Sequence, residues 1–315
     1  MIQLRHVLLS LVLALTLGCL AWAAARGGDV FSGPQALRIA TWNMEWLLHP
    51  ETARLARIAC RDGQRAAIPC DVARSQARDS ADFGRMAALV RQLDADVIAF
   101  QEVENEAVAR KVFRGYEICI APGSGAQHAG FAVRSALRFR CEPPLDALTA
   151  GGRGRPGQPL LLFSRTGAPV ELLAVHLKSG CSRDPLDSPT AACRLLSEQA
   201  GALGEWIAGR AAAGTPFMVL GDFNRPVGST PDDPFWSQLH PESFLAAASQ
   251  LPFRNCVFGA PYGEFIDHIL VGRSLAARMH PDGFAQLRYR PDEAIQFQLS
   301  DHCPVSVKIS LSELL

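Results

Sequence analysis

The amino-acid sequence predicts an α/β fold of the α+β kind: a four-layer sandwich of two packed mixed β-sheets flanked by helices. Three observations lead there. Apolar runs of strand length alternate with segments of helical period, which calls for sheet and helix in separate layers. Some runs instead follow one another as an antiparallel meander, which fits two packed sheets better than one doubly wound sheet. Six polar signatures, each at the end of an apolar run, are spread from residue 41 to residue 304, so one domain must fold around them. The chain has 315 residues, 48% of them hydrophobic, enough for a sizeable core.

The elements follow in order. Residues 37–42 (LRIATW) read as a first strand. Residues 51–80 are polar, without a strong period, and read as a helix and a stapled loop. Phe83, Met86, Ala87, Val90 and Leu93 fall on one face of a helix over 82–93, and Asp94-Ala95-Asp96 then turns into the buried strand VIAF. Residues 116–121, 129–134 and 137–141 are expected to form the meander. GGRGRPGQP (151–159) reads as a flexible basic loop, followed by the strands LLLF and VELLAVHL. A helix is expected over 193–210, with Leu195, Leu196, Leu203, Trp206 and Ile207 apolar, and then the strand FMVLG. Residues 225–262 are rich in Pro and aromatics and show no period; FIDHILV and CPVSVKI close the chain as strands.

The first 25 residues read as a cleaved export signal. Arg5 is the positive start, Val7 to Leu17 the apolar stretch, and Ala21-Trp22-Ala23 and Ala23-Ala24-Ala25 are small-x-small cleavage sites; Leu17-Gly18-Cys19 is a poor lipoprotein site because Thr16 precedes it. A periplasmic or secreted protein is expected. Behind the leader stand eight cysteines, at 60, 70, 119, 141, 181, 193, 256 and 303, an even count that reads as four disulfides in an oxidising compartment. Spacing suggests the simplest pairing. Cys60–Cys70 and Cys181–Cys193 would staple polar loops, Cys119–Cys141 would tie neighbouring strands, and Cys256–Cys303 would be the long-range bridge. No C-x-x-C pair supports structural zinc. Lys+Arg and Asp+Glu are equal at 31 each, so there is no global basic field of the kind a dedicated duplex binder carries, although a local basic patch stays open.

The six signatures are TWNMEW (41–46), FQEVEN (100–105), VHLKS (175–179), GDFN (221–224), IDHI (266–269) and SDHCP (300–304). A strand delivers a side chain to one edge of a sheet with little freedom. Six such edges can pool Asn, Glu, His, Asp, Asn, Asp, Asp and His in one cleft, a set suited to holding a hard cation and activating water on a phosphate ester. In set and order they resemble the endonuclease/exonuclease/phosphatase family over residues 37–311, expected as one domain; GDFN and SDH, each beside an apolar run, are the specific pieces.

The resemblance implies that fold, hydrolysis of phosphate esters, and Mg²⁺ as cofactor with Mn²⁺ as a substitute. It assigns Glu102, Asn43 and Asp301 to the metal side. Glu45, two residues beyond Asn43, shares its face if the strand continues, either as an alternate ligand or as a plain rim carboxylate. His302 would take a proton from water, with Asp267 holding its tautomer. Asp222 and Asn224 would orient the attacking water and the phosphate oxygens, while Phe223 packs inward and His268 is structural. His176 matches the His of the nuclease and sphingomyelinase branches, which contacts the phosphate or protonates the leaving oxygen. Deoxyribonuclease-I-like members orient that His with a Glu from the earlier meander, but here Gly125-Ala126-Gln127-His128 holds no carboxylate, which leaves the acid role open. Arg155 and Lys178 are candidate phosphate contacts.

The leading expectation is an exported, metal-dependent phosphodiesterase, a nuclease, monomeric and without a stable protein partner. The runner-up is a sphingomyelinase-like lipid phosphodiesterase or a phosphomonoesterase. A lipid enzyme needs an apolar edge for a membrane surface, which Phe235, Trp236, Phe244, Phe253, Phe258 and Tyr262 would supply if they are not core. The third reading is an inactive binding module of the same fold, disfavoured by the intact polar set. No G-x-S-x-G supports a serine hydrolase.

Overall fold

Alternation along the strands sorts side chains between two cores. In VIAF, Val97 and Ala99 join a cluster with Ile39, Phe131, Leu172, Leu220 and Ile269. Ile98 and Phe100 face the other way, toward Phe83, Met86 and Val108. Both faces of the strand are therefore buried, which is why it reads as a continuous apolar run. The computed structural model describes residues 36–310 except 122, 124, 164–168, 228–232, 251 and 257–262. The leader with Cys19, and Phe258 and Tyr262, lie outside the described residues.

The strands are β1 (Leu37–Leu47), β2 (Val97–Val103), β3 (Tyr116–Ile120), β4 (His128–Arg134), β5 (Phe139–Cys141), β6 (Gln158–Phe163), β7 (Pro169–His176), β8 (Phe217–Asp222), β9 (Phe244–Ala246), β10 (Asp267–Gly272), β11 (Ala285–Gln286) and β12 (Val305–Ile309). The helices are α1 (Pro50–Arg61), α2 (Cys70–Ser75), α3 (Ser80–Leu93), α4 (Glu106–Val112), α5 (Ala191–Ala212), α6 (Pro234–Gln238), α7 (Arg273–Ala276) and α8 (Pro291–Gln296). Two six-stranded sheets result, ordered β11-β12-β1-β2-β4-β3 and β5-β6-β7-β8-β10-β9. The cluster of Ile39 and Leu220 lies between them. Helices α3 and α4 cover the first sheet, and α5 covers the second through Leu196, Leu203 and Ile207. The four-layer sandwich expected from sequence is the one observed.

Strand direction decides where the chemistry goes. Each sheet holds one parallel central pair, β1 with β2 and β7 with β8. Their C-terminal ends carry Asn43, Glu102, His176 and Asp222. Next to them run β12 and β10, antiparallel, so their N-terminal ends arrive at the same edge with His302 just before β12 and Asp267 opening β10.

Two expectations are corrected. β3 and β4 pair as foreseen, but β5 leaves the meander and pairs with β6 in the second sheet. Cys119–Cys141 therefore joins edge strands of the two different sheets. All four expected cysteine pairs are bonded. The described part of the aromatic-rich stretch is no exposed edge: Phe235 is fully buried, Phe244 nearly so, and Trp236 and Phe253 pack on the cores.

Candidate active site

The strand ends gather eight of the ten expected site residues in direct contact, with Arg155 joined to the group through His176 and Lys178 beside it. Imidazole Nδ1 of His302 lies 2.6 Å from Asp267 Oδ2, and its Nε2 lies 3.8 Å from Asp301 Oδ1 and 4.0 Å from Asp222 Oδ2. The His302 backbone is clamped: its carbonyl accepts from Trp42 Nε1 at 3.1 Å and Tyr289 Oη at 2.5 Å, and its N–H donates to Ser300 Oγ at 3.1 Å. Ser300 Oγ in turn donates to the Asn43 carbonyl at 2.7 Å. The base candidate is thus held from both sheets.

Asn43 spans the cleft. Its Nδ2 donates to Glu102 Oε1 at 3.2 Å and to Asp222 Oδ2 at 3.0 Å, while its Oδ1 accepts the Glu45 N–H at 3.0 Å. Expected among the ligands, it turns its nitrogen toward the carboxylates and its oxygen away. Asn224 N–H donates to Asp222 Oδ1 at 2.8 Å, and its amide reaches Leu177 O at 3.1 Å. Phe223 is buried, as is His268, whose Nε2 meets the Arg225 carbonyl at 2.8 Å. Both facts fit their structural reading.

The backbone is strained where it serves the cleft. Glu45, Trp46, Glu102 and Asn224 have φ of 45°, 51°, 60° and 53°, in the left-handed region that side chains avoid. Each costs on the order of 1–3 kcal/mol and persists because neighbours over-determine it. β1 therefore does not run on straight past Asn43, as the shared-face reading of Glu45 required. Glu45 comes back to the site by another route: its carboxylate accepts the Asp301 N–H at 2.8 Å and Gln76 Nε2 at 2.7 Å. In GDFN the glycine is obligatory. A Cβ on Gly221 would lie 1.9 Å from Val175 O, so only Gly lets β8 lie this close to β7.

His176 Nε2 lies 3.5 Å from Glu102 Oε1 and 3.6 Å from Asp222 Oδ2, and its Nδ1 is buried without a hydrogen-bond partner. No carboxylate of 125–128 orients this ring, as the sequence of that stretch implies. Arg155 does not wave in a flexible loop. Its Nη1 donates to the His176 carbonyl at 3.3 Å and its Nη2 to Gln127 Oε1 at 3.1 Å. The preceding Gly154 has no room for a Cβ, which would fall 2.6 Å from Gln199 Nε2. Lys178 is half-buried; its backbone N–H bonds Gln199 Oε1 at 2.8 Å.

Electrostatics separate the groups. Burial pushes Asp222 up to about 7, against the pull of His302. Burial and then Asp301 push Glu45 to about 7, and burial also raises Asp301. Burial draws His302 down, but Asp267, Asp222 and Asp301 outweigh it and hold the imidazole well above its ordinary range. His176 goes well below it, through burial, then Arg155, His302 and Lys178. Burial also lowers Arg155 and Lys178.

A family model described as the Endonuclease/Exonuclease/phosphatase family matches residues 40–302. The chain belongs to the endonuclease/exonuclease/phosphatase family. It is accordingly a hydrolase acting on phosphate esters, in a family that depends on divalent metal. No curated protein sequence matches it significantly. Solved structures similar in fold include a truncated TDP2 from Caenorhabditis elegans, at 16% identity and TM-score 0.58, covering 87% of this chain and 98% of that one. A 3′ phosphatase, NExo, from Neisseria bound to a product DNA hairpin has 17% identity and TM-score 0.54, covering 87% and 99%. A mannosyl-6-phosphatase from Bacteroides thetaiotaomicron has 15% identity and TM-score 0.52, covering 86% and 98%.

The donor set fits the family's metal. Asp222, Asp267 and His302 offer ligand atoms within 4.8 Å of one another, and Asp267 Oδ1 is buried and unpartnered. Glu102, Glu45 and Asp301 add further carboxylates; Glu45, Asp222 and Asp301 are raised first by burial and then by neighbouring carboxylates, whose repulsion a bound cation would relieve. Sequence reasoning missed Ser300, Trp42, Tyr289, Gln127, Gln76 and Arg78. Trp42 and Ser300 sit inside the quoted signatures, but a side chain that holds a neighbour's backbone leaves no mark in a pattern. Gln76 and Arg78 lie in the polar stretch that shows no period.

Proposed function

We propose that this protein is an exported, Mg²⁺-dependent phosphodiesterase acting on nucleic acid. The observation that carries the reading is the His302–Asp267 pair at 2.6 Å, aimed into a pool of buried carboxylates. Glu102 and Asp301 are the residues to hold the ion, with Asn43 orienting Glu102 and Asp222. Asp267 Oδ2 is committed to His302, and its unpartnered Oδ1 lines the same pool of donor atoms beside the ion. Mg²⁺, or Mn²⁺ in its place, would polarise the phosphoryl oxygen and offset developing negative charge.

The chain's own groups do the rest. Asp222, fixed by Asn43 and Asn224, orients a water. His302 Nε2 takes that water's proton as its oxygen bonds to phosphorus, and the bond to the leaving oxygen breaks. Asp267 stabilises the imidazolium. His302 must be unprotonated to begin; a divalent cation held by Glu102 and Asp301 would offset part of the carboxylate charge that raises it. His176 is neutral, and Nε2–H facing the carboxylates agrees with the bare Nδ1. A neutral imidazole without an orienting carboxylate is a poor acid, so we assign it, with Arg155 and Lys178, to binding phosphate oxygens.

Four disulfides fit an oxidising, exported setting, and no helix of the described residues is long and apolar enough to cross a membrane. The lipid alternative loses the support of Phe235, Trp236, Phe244 and Phe253, which are buried or packed on the cores; Leu55 and Ile295 are the exposed large hydrophobic residues among those described. A phosphomonoesterase is the second reading, favoured by the two phosphatases of similar fold. The intact pair and carboxylates disfavour an inactive module. The test is the purified mature protein with Mg²⁺, offered plasmid DNA, RNA, sphingomyelin and a phosphomonoester in parallel. Cleavage of DNA or RNA, abolished in His302→Ala, is expected. Turnover of the phosphomonoester alone would replace the first reading with the second.

A further inference from the structure

The segment between β1 and α3 has a foot in the active site. It is stapled by Cys60–Cys70 and packs its small core of Leu48, Ala53, Ala56, Ile68 and Ala73 against Trp46. Its last residues, Gln76 and Arg78, are buried. Arg78 Nη1 donates to the carbonyls of Glu45 and Trp46 at 2.9 and 3.0 Å. Its Nε and Nη2 donate to the carbonyls of Gln298 and Leu299 at 2.9 and 3.3 Å. One guanidinium thus ties the left-handed turn that ends β1 to the residues leading into Ser300, Asp301 and His302.

The Glu45–Trp46 end of this tie lies one bond from each proposed ion-holding residue, and the Gln298–Leu299 end precedes Asp301 in the chain. The Trp46 N–H donates to Glu102 Oε2 at 3.1 Å, and the Glu45 carboxylate accepts the Asp301 N–H at 2.8 Å. Gln76 steadies the same carboxylate through Nε2 at 2.7 Å, and its Oε1 accepts from Gln298 Nε2 at 3.4 Å. Four carbonyls take its donors, and its ion pair with Glu45 is long, at 4.0 Å. The planar fork of Arg can reach two separate segments at once, which the single ammonium of Lys cannot.

We infer that Arg78, with Gln76, is a positioning residue: the stapled segment holds Glu102 and Asp301 in mutual register across the cleft. This rests on the metal-dependent hydrolase reading. Residues that orient metal ligands are commonly worth about 10- to 100-fold in affinity or activity. Two variants test it, Arg78→Lys and Gln76→Ala, each measured for melting temperature, for kcat and KM, and for Mn²⁺ binding by calorimetry with the ion alone. The expected result is kcat lowered by about tenfold or more with KM little changed, and Mn²⁺ affinity lowered by a similar factor. If the folded variants keep wild-type kcat and Mn²⁺ affinity and lose only thermal stability, the inference is overturned. Should Arg78→Lys fail to fold, Gln76→Ala decides by the same measurements. If the wild type hydrolyses no phosphate ester, the hydrolase reading fails, while the Mn²⁺ affinities still test the positioning.

Discussion

Two histidines share this cleft, one at the end of each sheet's chemistry, and their surroundings send them in opposite directions. His302 and His176 are 6% and 3% exposed, so burial disfavours the charged form of both. His302 has Asp267 at 2.6 Å and two further carboxylates near Nε2, and it is driven up. His176 has no partner on Nδ1 and has Arg155 behind its carbonyl, and it is driven down. Residue type does not set the role; what faces the second ring nitrogen does. In the mechanism proposed above, a carboxylate there makes a proton acceptor, while bare protein with a guanidinium nearby makes a neutral donor to phosphate.

The sharpest way to break that comparison is to remove the acceptor. His302→Ala should lower kcat by at least ~10²-fold, in line with the loss of a general base, without loss of fold, because the residue borders a cleft. Wild-type turnover in that variant would assign the base elsewhere. Metal comes next. Chelation by EDTA should abolish activity, with Mg²⁺ or Mn²⁺ restoring it. Glu102→Gln, which keeps the shape and removes the charge, should shift the Mg²⁺ titration to higher concentration. Full activity in chelator would sink the metal assignment.

The His176 side should respond more weakly. His176→Asn removes one hydrogen bond to a charged group, an effect of ~1.5–3 kcal/mol, or roughly one to two decades in kcat/KM. Its pH–rate profile should keep the wild-type shape, since a neutral donor adds no titration. If the variant instead loses a limb of the profile, His176 is an acid and the contrast between the two histidines fails.

The strand ends explain why so much was legible. Asn43, Glu102, His176, Asp222, Asp267 and His302 each close or open a β-run, and a strand fixes its end residue's place, so short signatures suffice for the fold and for which of these side chains meet in the candidate site. The sequence pattern failed where the backbone leaves the regular period. The left-handed turn at Glu45 and Trp46 breaks the face-sharing rule, so the true partner of Glu45, the Asp301 N–H, came from residues 256 positions away. β5 was misplaced because a three-residue strand carries too little pattern to say which sheet it joins. The glycines around Arg155 suggest a flexible loop; it is a loop, but an ordered one, because Gly154 serves close packing.

Cys303 directly follows His302, so its bridge to Cys256 secures the same turn. Losing a native disulfide from a small secreted domain costs ~2–5 kcal/mol. Cys256→Ser with Cys303→Ser should lower the melting temperature and also activity. Non-reducing peptide mapping that finds Cys303 free or joined elsewhere would refute the bridge.

The smallest effect concerns a third buried histidine that takes no part in the comparison. His268 follows Asp267 on β10 but faces away, with Phe223 and Trp236 edge-on around its ring. Burial draws it from 6.5 to about 4, although its bond to the Arg225 carbonyl and the charge of Asp267 pull the other way. The unfolded chain then takes up a proton at higher pH than the folded one. This contribution to stability is complete above 6.5 and is lost as pH falls toward about 4. One proton corresponds to about 1.4 kcal/mol for each pH unit inside that window. His268→Gln keeps a donor for the Arg225 carbonyl and cannot titrate. Urea midpoints at several pH values from neutrality to pH 4 should fall less steeply for the variant than for the wild type. Parallel slopes would mean that His268 charges in the folded protein, and that its ring is not sealed from water as the structure has it.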